Sequence, residues 1–369
     1  MNHFVFHNVG QGLFYSGHID NNHFNFVYDC GTSSAQKYIE NAVDNQLPSQ
    51  DIDFVVISHL HKDHISGLKR LVDNYNVRKI YLPYLGRDNW SLINLLCAVA
   101  SIPDGISGQV ASDGEDREIF YNQYHFLISL YDGGRRNNRI QEIVYLGNDE
   151  EQNSENKYSY YDEKLQYSSV DDIQWVFAFL NRRQSRSHLK DLNDKIDGLL
   201  KGSSYESVDE AIINNDLQKI VGIYESVFGK RKQNLTSTVL IHYPISKMHF
   251  ISNFDFVFHR HFSQTFPRSV VSILTGDAEF DDVLLSKMDM HLQLNGNAFN
   301  VFQVPHHGSK KNWDLLTNSY KLIFNQYVIP CGIGRKKHPS ISVIKELSLL
   351  KTNCVHFANE LSQYIYYIG

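Results

Sequence analysis

Ser58-His59-Leu60-His61-Lys62-Asp63-His64 places three imidazoles and a carboxylate within the six residues from His59 to His64. Directly upstream stands Asp53-Phe54-Val55-Val56-Ile57, a β-branched and aromatic run suited to a buried strand. Downstream, residues 65–74 carry apolar side chains at helical spacing. The motif therefore lies on a loop that leaves a strand and enters a helix. On such a loop His59 and His61 can converge on one cation while Asp63 and His64 turn toward a second. Imidazole and carboxylate in this mixture suit zinc, manganese or iron better than calcium or magnesium. A chance cluster on a solvated loop is the competing reading, and the density of donor side chains weighs against it.

Outward from the motif, Phe4-Val5-Phe6 and residues 24–28 are apolar runs separated by Gly10-Gln11-Gly12, and the second ends at Asp29-Cys30-Gly31. That pattern predicts a hairpin followed by a sharp turn. Helical spacing at 37–45 and 90–100, with a strand at 79–82, gives an alternating α/β reading. Residues 101–173 are polar, with apolar runs no longer than Tyr124 to Leu130. Strand-like composition returns at 174–180. Leu189, Leu192, Ile196, Leu199 and Leu200 begin a helical stretch over 185–230. Further strands are expected at 235–243, 250–258, 269–274, 301–304 and 322–329.

Composition sets bounds on this reading. At 42 % hydrophobic and 21 % charged residues the chain is globular, and no window reaches the roughly 18–20 apolar residues of a membrane span. Its 369 residues suggest two domains or one decorated domain. Lys+Arg 35 against Asp+Glu 41 leaves −6, which opposes a uniformly basic face that wraps duplex nucleic acid but allows a local basic rim. The four cysteines, 30, 97, 331 and 354, are too dispersed for a metal knuckle and too few for a disulfide framework. The opening MNHFVFHNVGQG lacks a basic region followed by an apolar run, so a cytoplasmic address is the expectation.

The HxHxDH motif resembles that of the metallo-β-lactamase-fold hydrolases, and the nearest branch looks like the ComEC-type hydrolase domain of bacterial competence proteins. Asn8-Val9-Gly10-Gln11-Gly12 is similar to the branch's opening turn, with Leu13 where the branch has an acid. Asp29-Cys30-Gly31, Asn234 with Ser237, Thr275-Gly276-Asp277, His306-His307-Gly308-Ser309 and Lys337-His338-Pro339-Ser340 follow in the same order. The resemblance implies an αββα sandwich of two mixed sheets with helical insertions. It implies a single domain over 1–369, with 101–173 and 185–230 as the insertions. It further implies two divalent ions, Zn or Mn, held by His59, His61, Asp63, His64, Asp277 and His338, with Asp29 buttressing the ligand loop. Many relatives carry a histidine ligand at the position of Asn234, so the first ion is expected to be held more weakly, with Asn234 in a supporting place. Asp63 and one of His306 and His307 are the expected catalytic groups.

Hydrolysis is the reaction class that two such cations imply. Lys310-Lys311 follows the paired histidines, Arg335-Lys336-Lys337 precedes His338, and Lys230-Arg231-Lys232 precedes Asn234. Basic side chains beside cations attract phosphates. Lys310, Lys311, Arg335 and Lys336 are the candidate substrate-binding residues, and a phosphodiester of DNA or RNA is the favoured substrate. The alternatives are a small-molecule ester, lactone or cyclic-nucleotide hydrolase, or a degenerate metal-binding module acting through a partner protein. The 185–230 stretch is expected beside the site, as a helical lid or a partner-docking surface, and no membrane partner is expected.

Overall fold

The computed structural model describes residues 2–85, 90–102, 115–132, 139–146, 160–168, 174–182, 186–202, 208–213, 217–228, 237–245, 250–253, 270–294, 299–319, 324–350 and 354–369. The chain opens as a meander of β1 (Asn2–Phe6), β2 (Phe14–Ile19) and β3 (Phe24–Cys30). Then come α1 (Gln36–Asn45), β4 (Asp51–Val56), α2 (Lys62–Ile65), α3 (Leu68–Asn74), β5 (Asn76–Pro83), α4 (Trp90–Ser101), α5 (Glu115–Tyr131) and β6 (Ile140–Leu146). A hairpin of β7 (Tyr160–Ser168) and β8 (Gln174–Arg182) leads into α6 (Arg186–Lys201), α7 (Val208–Ile213) and α8 (Leu217–Phe228). The remainder is β9 (Val239–Pro244), β10 (Phe250–Asn253), β11 (Val270–Leu274), α9 (Asp282–Leu294), β12 (Phe299–Gln303), a 3-10 turn at Pro305–Gly308, α10 (Lys310–Ser319), β13 (Gln326–Pro330), α11 (Ile341–Leu349), β14 (Cys354–Ala358) and β15 (Tyr364–Ile368).

Two sheets result, in the orders β10-β15-β1-β2-β3-β4-β5-β6 and β14-β13-β12-β11-β9-β8-β7. Both are mixed: β3 to β6 run parallel beside the antiparallel meander, and β11 to β14 run parallel beside antiparallel β7, β8 and β9. Asn2 pairs with Ile368, so the first and last strands share one sheet. The pleat explains the uninterrupted apolar run of β4. Phe54 and Val56 enter the core between the sheets, while Val55 and Ile57 enter the core beneath the helices. A third core, with Ile241, Val271, Ile273, Phe302 and Trp313, fills the far side of the second sheet. Helices, sheet, sheet and helices are stacked in that order: an αββα sandwich.

The polar stretch 101–173 carries α5 and one outer strand for each sheet, β6 and β7. Tyr124 and Leu127, read as part of a short apolar run, are buried on α5. The 185–230 stretch supplies α6, α7 and α8, whose Leu192, Ile196, Ala211, Ile212 and Ile220 share one core with Leu92 and Leu95 of α4. These helices pack on α4, which also touches α2.

Among the described residues, a polar chain runs through the interior between the sheets. Trp175 Nε1–H donates to His242 Nδ1 at 3.2 Å, so His242 carries its proton on Nε2, 2.8 Å from the Tyr15 hydroxyl. Tyr15 then meets Tyr366 at 2.7 Å, and Tyr366 meets Ser272 at 2.6 Å. Burial pushes His242 down to about 3, which keeps the ring neutral.

Candidate metal centre

Strand β4 delivers the chain through Ile57 and Ser58 to His59, and α2 starts at Lys62 with His61 at its N-cap. The loop is held from both sheets. Leu13 N–H donates to Asp63 O at 3.0 Å, and Thr238 N–H donates to Ser58 O at 2.9 Å. The Gly10-Gln11-Gly12 turn lies against it so closely that a Cβ on Gly12 would stand 2.2 Å from Gly31 O and 2.9 Å from Asp63 O. Only glycine fits there.

Asp29, fully buried and in the left-handed region at φ 54°, organises the imidazoles. Its Oδ1 accepts from Ser58 N–H at 2.7 Å, and its Oδ2 accepts from Ser58 Oγ–H and from His64 Nδ1–H, each at 2.7 Å. The Ser58 hydroxyl has given its single proton to Asp29, so at 2.9 Å it accepts from His59 Nδ1–H. Both rings therefore carry a proton on Nδ1 and turn their Nε2 atoms to the centre. The buried Nε2 atoms of His59 and His61 have no hydrogen-bond partner.

The second sheet supplies the opposite wall. Asp277 follows β11 on a turn whose Gly276 sits at φ +52°, where a Cβ would meet Ser237 and Ser58 atoms at 2.8 Å. Two buried amides clamp this turn. Gln303 Oε1 accepts from Thr275 N–H at 2.8 Å and Gly276 N–H at 3.0 Å, while its Nε2 donates to Gly276 O at 3.2 Å. Asn312 Nδ2 donates to Asp277 O and Ala278 O, each at 3.1 Å. His306 and His307 are left-handed at φ 48° and 54°, strain on the order of 1–2 kcal/mol per residue that the packed turn sustains. His307 Nδ1–H donates to Pro330 O at 2.8 Å, and its Nε2 lies 3.0 Å from Asp63 Oδ2.

Two clusters of donor atoms result, His59 with His61 and Asp277, and Asp63 with His64 and His307; within each, the donor atoms lie within 4.8 Å of one another. The second cluster contains His307 where the sequence reading placed His338. His338 is half-buried, its Nδ1 has no hydrogen-bond partner, and its ring lies 5.0 Å from that of His306, outside both clusters. Burial and then the neighbouring His306 and His307 push His338 down to about 4. Asn234 and Lys230 to Lys232 lie outside the described residues.

The charges are mutually supporting. Burial acts to raise Asp63, but His64 and His307 outweigh it and hold the carboxyl below its ordinary range. Asp277 is held well below that range by His306 and His64, again against burial. Burial disfavours a charge on His64, yet Asp29, Asp277 and Asp63 raise it well above the ordinary histidine value. A buried set of imidazole nitrogens and carboxylate oxygens, with the Nε2 atoms of His59 and His61 unpartnered, fits divalent cations of the zinc type. At the rim, Lys310 pairs with Asp314 and Lys311 with Glu279. Arg335 donates to Ser33 O at 2.7 Å, and Lys336 and Lys337 are exposed.

Ser58, Gln303 and Asn312 escaped the sequence reading. Gln303 had a signal, a lone amide inside the apolar strand Val301-Phe302-Gln303-Val304; Ser58 and Asn312 had none beyond their neighbours.

The sheet order, the stacking of the layers and the centre at the strand ends define a metallo-β-lactamase-type αββα sandwich. Residues 15–90 match the sequence profile of the metallo-beta-lactamase superfamily, from β2 to the first residue of α4, a span that includes the whole HxHxDH loop. Members of that superfamily are generally hydrolytic metalloenzymes. No curated protein matches the chain. Among solved structures, one titled "Peroxy diiron species of chemotaxis sensor ODP" matches at 13 % identity with a TM-score of 0.24. That match covers 51 % of this chain and 57 % of the other, and nothing below rests on it. No helix among the described residues is long and apolar enough to cross a membrane.

Proposed function

We propose that this chain is a metal-dependent hydrolase that cleaves phosphodiesters, with DNA or RNA as its substrate class. The observation that carries the reading is the pair of largely buried clusters, His59-His61-Asp277 and Asp63-His64-His307, with His59 and His64 oriented by Ser58 and Asp29. Divalent ions there would activate a water near neutral pH and neutralise charge on the attacked ester and its leaving oxygen. The chain's own residues do the rest. Asp29 and Ser58 fix the tautomers, Gln303 and Asn312 hold the turn of Asp277, and Pro330 O orients His307. The Asp63 side chain is 21 % and the His306 side chain 31 % exposed, so a substrate approaches on that side. Exposed Lys336 and Lys337, next in sequence to His338, favour a phosphate over a neutral ester or lactone.

The test is metal content and turnover on single-stranded DNA, RNA, cyclic dinucleotides and a generic aryl phosphodiester with added Mn²⁺ or Zn²⁺. Asp63→Ala and Asp277→Ala are each expected to lose more than the roughly 100-fold that an outer partner of a metal ligand costs. Bound metal with cleavage confined to lactones or carboxylic esters would replace the substrate class. Absence of bound metal, or wild-type rates in both variants, would overturn the enzyme reading.

A further inference from the structure

The two clusters differ in their donors. Around the second, Asp277 adds an oxygen, because Oδ1 lies 3.2 Å from His64 Nε2 and 4.0 Å from His307 Nε2. The other oxygen, Oδ2, faces the first cluster at 3.6 Å from His59 Nε2. His306 Nε2 lies 3.5 Å from that same Oδ2. Two donors each about 2.1 Å from a tetrahedral ion are about 3.4 Å apart, so His306 stands toward Oδ2 as His59 does, from just outside the cluster of His59, His61 and Asp277.

The ring is also presented as a donor. Asn312 commits its Nδ2 to two backbone carbonyls, which leaves Oδ1 facing His306 Nδ1 at 3.2 Å. An oxygen there requires the proton on Nδ1 and leaves the lone pair on Nε2, toward Asp277. His306 N–H further donates to Gly276 O at 3.0 Å, which ties its backbone to the turn that carries Asp277. The left-handed conformation at both 306 and 307 sends adjacent imidazoles to opposite oxygens of one carboxylate.

We propose that His306 is the third nitrogen donor of the first ion. The adjacent pair His306 and His307 delivers one imidazole to each ion across the two oxygens of Asp277, and Asn312 is the positioning residue that sets the tautomer of His306. This assignment rests on the metal reading above and changes what His306 is for: it holds an ion and does not carry protons to or from a substrate.

The experiment is Co²⁺ binding to the chelator-stripped full chain, followed by calorimetry and by the visible ligand-field bands, in wild type and in His306→Ala. Wild type is expected to take up two ions. The variant is expected to hold one as before and the other at least about tenfold more weakly, with altered bands for the weakened ion. Imidazole ¹⁵N spectra of the wild type give a readout that does not depend on the variant folding: Zn²⁺ is expected to shift His306 Nε2. Two ions bound at wild-type affinity by His306→Ala, or an unmoved His306 nitrogen, would overturn the assignment. If inhibition by inorganic phosphate weakened at the same time, His306 would be a substrate contact. Failure of the wild type to bind any ion would sink the metal reading itself, a result distinct from either of these.

Discussion

Ser58 shows how much one hydroxyl controls. It stands between a buried carboxylate and the imidazole of His59, and because it has one proton its two hydrogen bonds have fixed directions. Ser58→Ala should leave His59 Nδ1–H without an acceptor and let the ring turn, with metal binding about 10–100-fold weaker by calorimetry while the far-ultraviolet spectrum is retained. Gly276 is constrained differently. With φ at +52° and Ser58 and Ser237 atoms 2.8 Å from any Cβ, Gly276→Ala combines left-handed strain with overpacking. A loss of about 2 kcal/mol or more in denaturant unfolding is expected. An unchanged midpoint would mean that the turn has room the structure does not show. HxHxDH was legible at this scale because loop spacing alone clusters its donors. Ser58 was not, because a serine acquires its role from Asp29, a residue on another strand.

At the scale of elements, the doubly buried β4 read clearly, and β6 and β7 at sheet margins did not. Residues 53–57 had to be a strand because Phe54 and Val56 serve one core and Val55 and Ile57 another. β6 and β7 escaped because outer strands keep polar residues, as Ile140–Leu146 does with its Gln141 and Glu142. The end of β12 carries a further device, the clamp of Gln303 on Thr275 and Gly276. Gln303→Leu would strip both N–H groups of their acceptor in a dry site. About 2–5 kcal/mol of stability should be lost in denaturant unfolding, with weaker metal binding alongside because Asp277 rides on that turn. A variant with wild-type stability would show that the clamp is idle.

Across the whole molecule, the balance of −6 mattered less than where the charges lie. Lys310 and Lys311 are offset by acidic neighbours, whereas Lys336 and Lys337, next to His338 in sequence, are exposed. Buried neutral histidines tie stability to pH. Burial holds His7 to about 4, and His18 and His242 to about 3, against an ordinary value of 6.5. Below 6.5 the unfolded chain takes up protons that the folded chain refuses, so this stability is complete above 6.5 and is lost as pH falls toward 4 and 3. Each ring contributes a slope of up to about 1.4 kcal/mol per pH unit in that window. Thermal unfolding of the metal-free chain between pH 7 and 4 is the measurement, and a flat profile would contradict the burial of these rings. Bound ions add a separate increment, about 2.7 kcal/mol at 100 times Kd, which a chelator should remove as a lower Tm.

By itself the sequence determined what is local: a donor-rich loop between a strand and a helix, and the alternation of strands with helices. Periodicity and short-range spacing carry such information, because residues a few positions apart have few ways to arrange themselves. The tertiary structure decided whatever joins distant segments. His307 stands 244 positions from Asp63 yet lies 3.0 Å from it. His338, expected among the ligands, lies outside both clusters, 5.0 Å ring to ring from His306. The partition of Asp277 between His59 and His306 on one oxygen and His64 and His307 on the other follows from two sheets meeting at their strand ends, a contact that no spacing along the chain records.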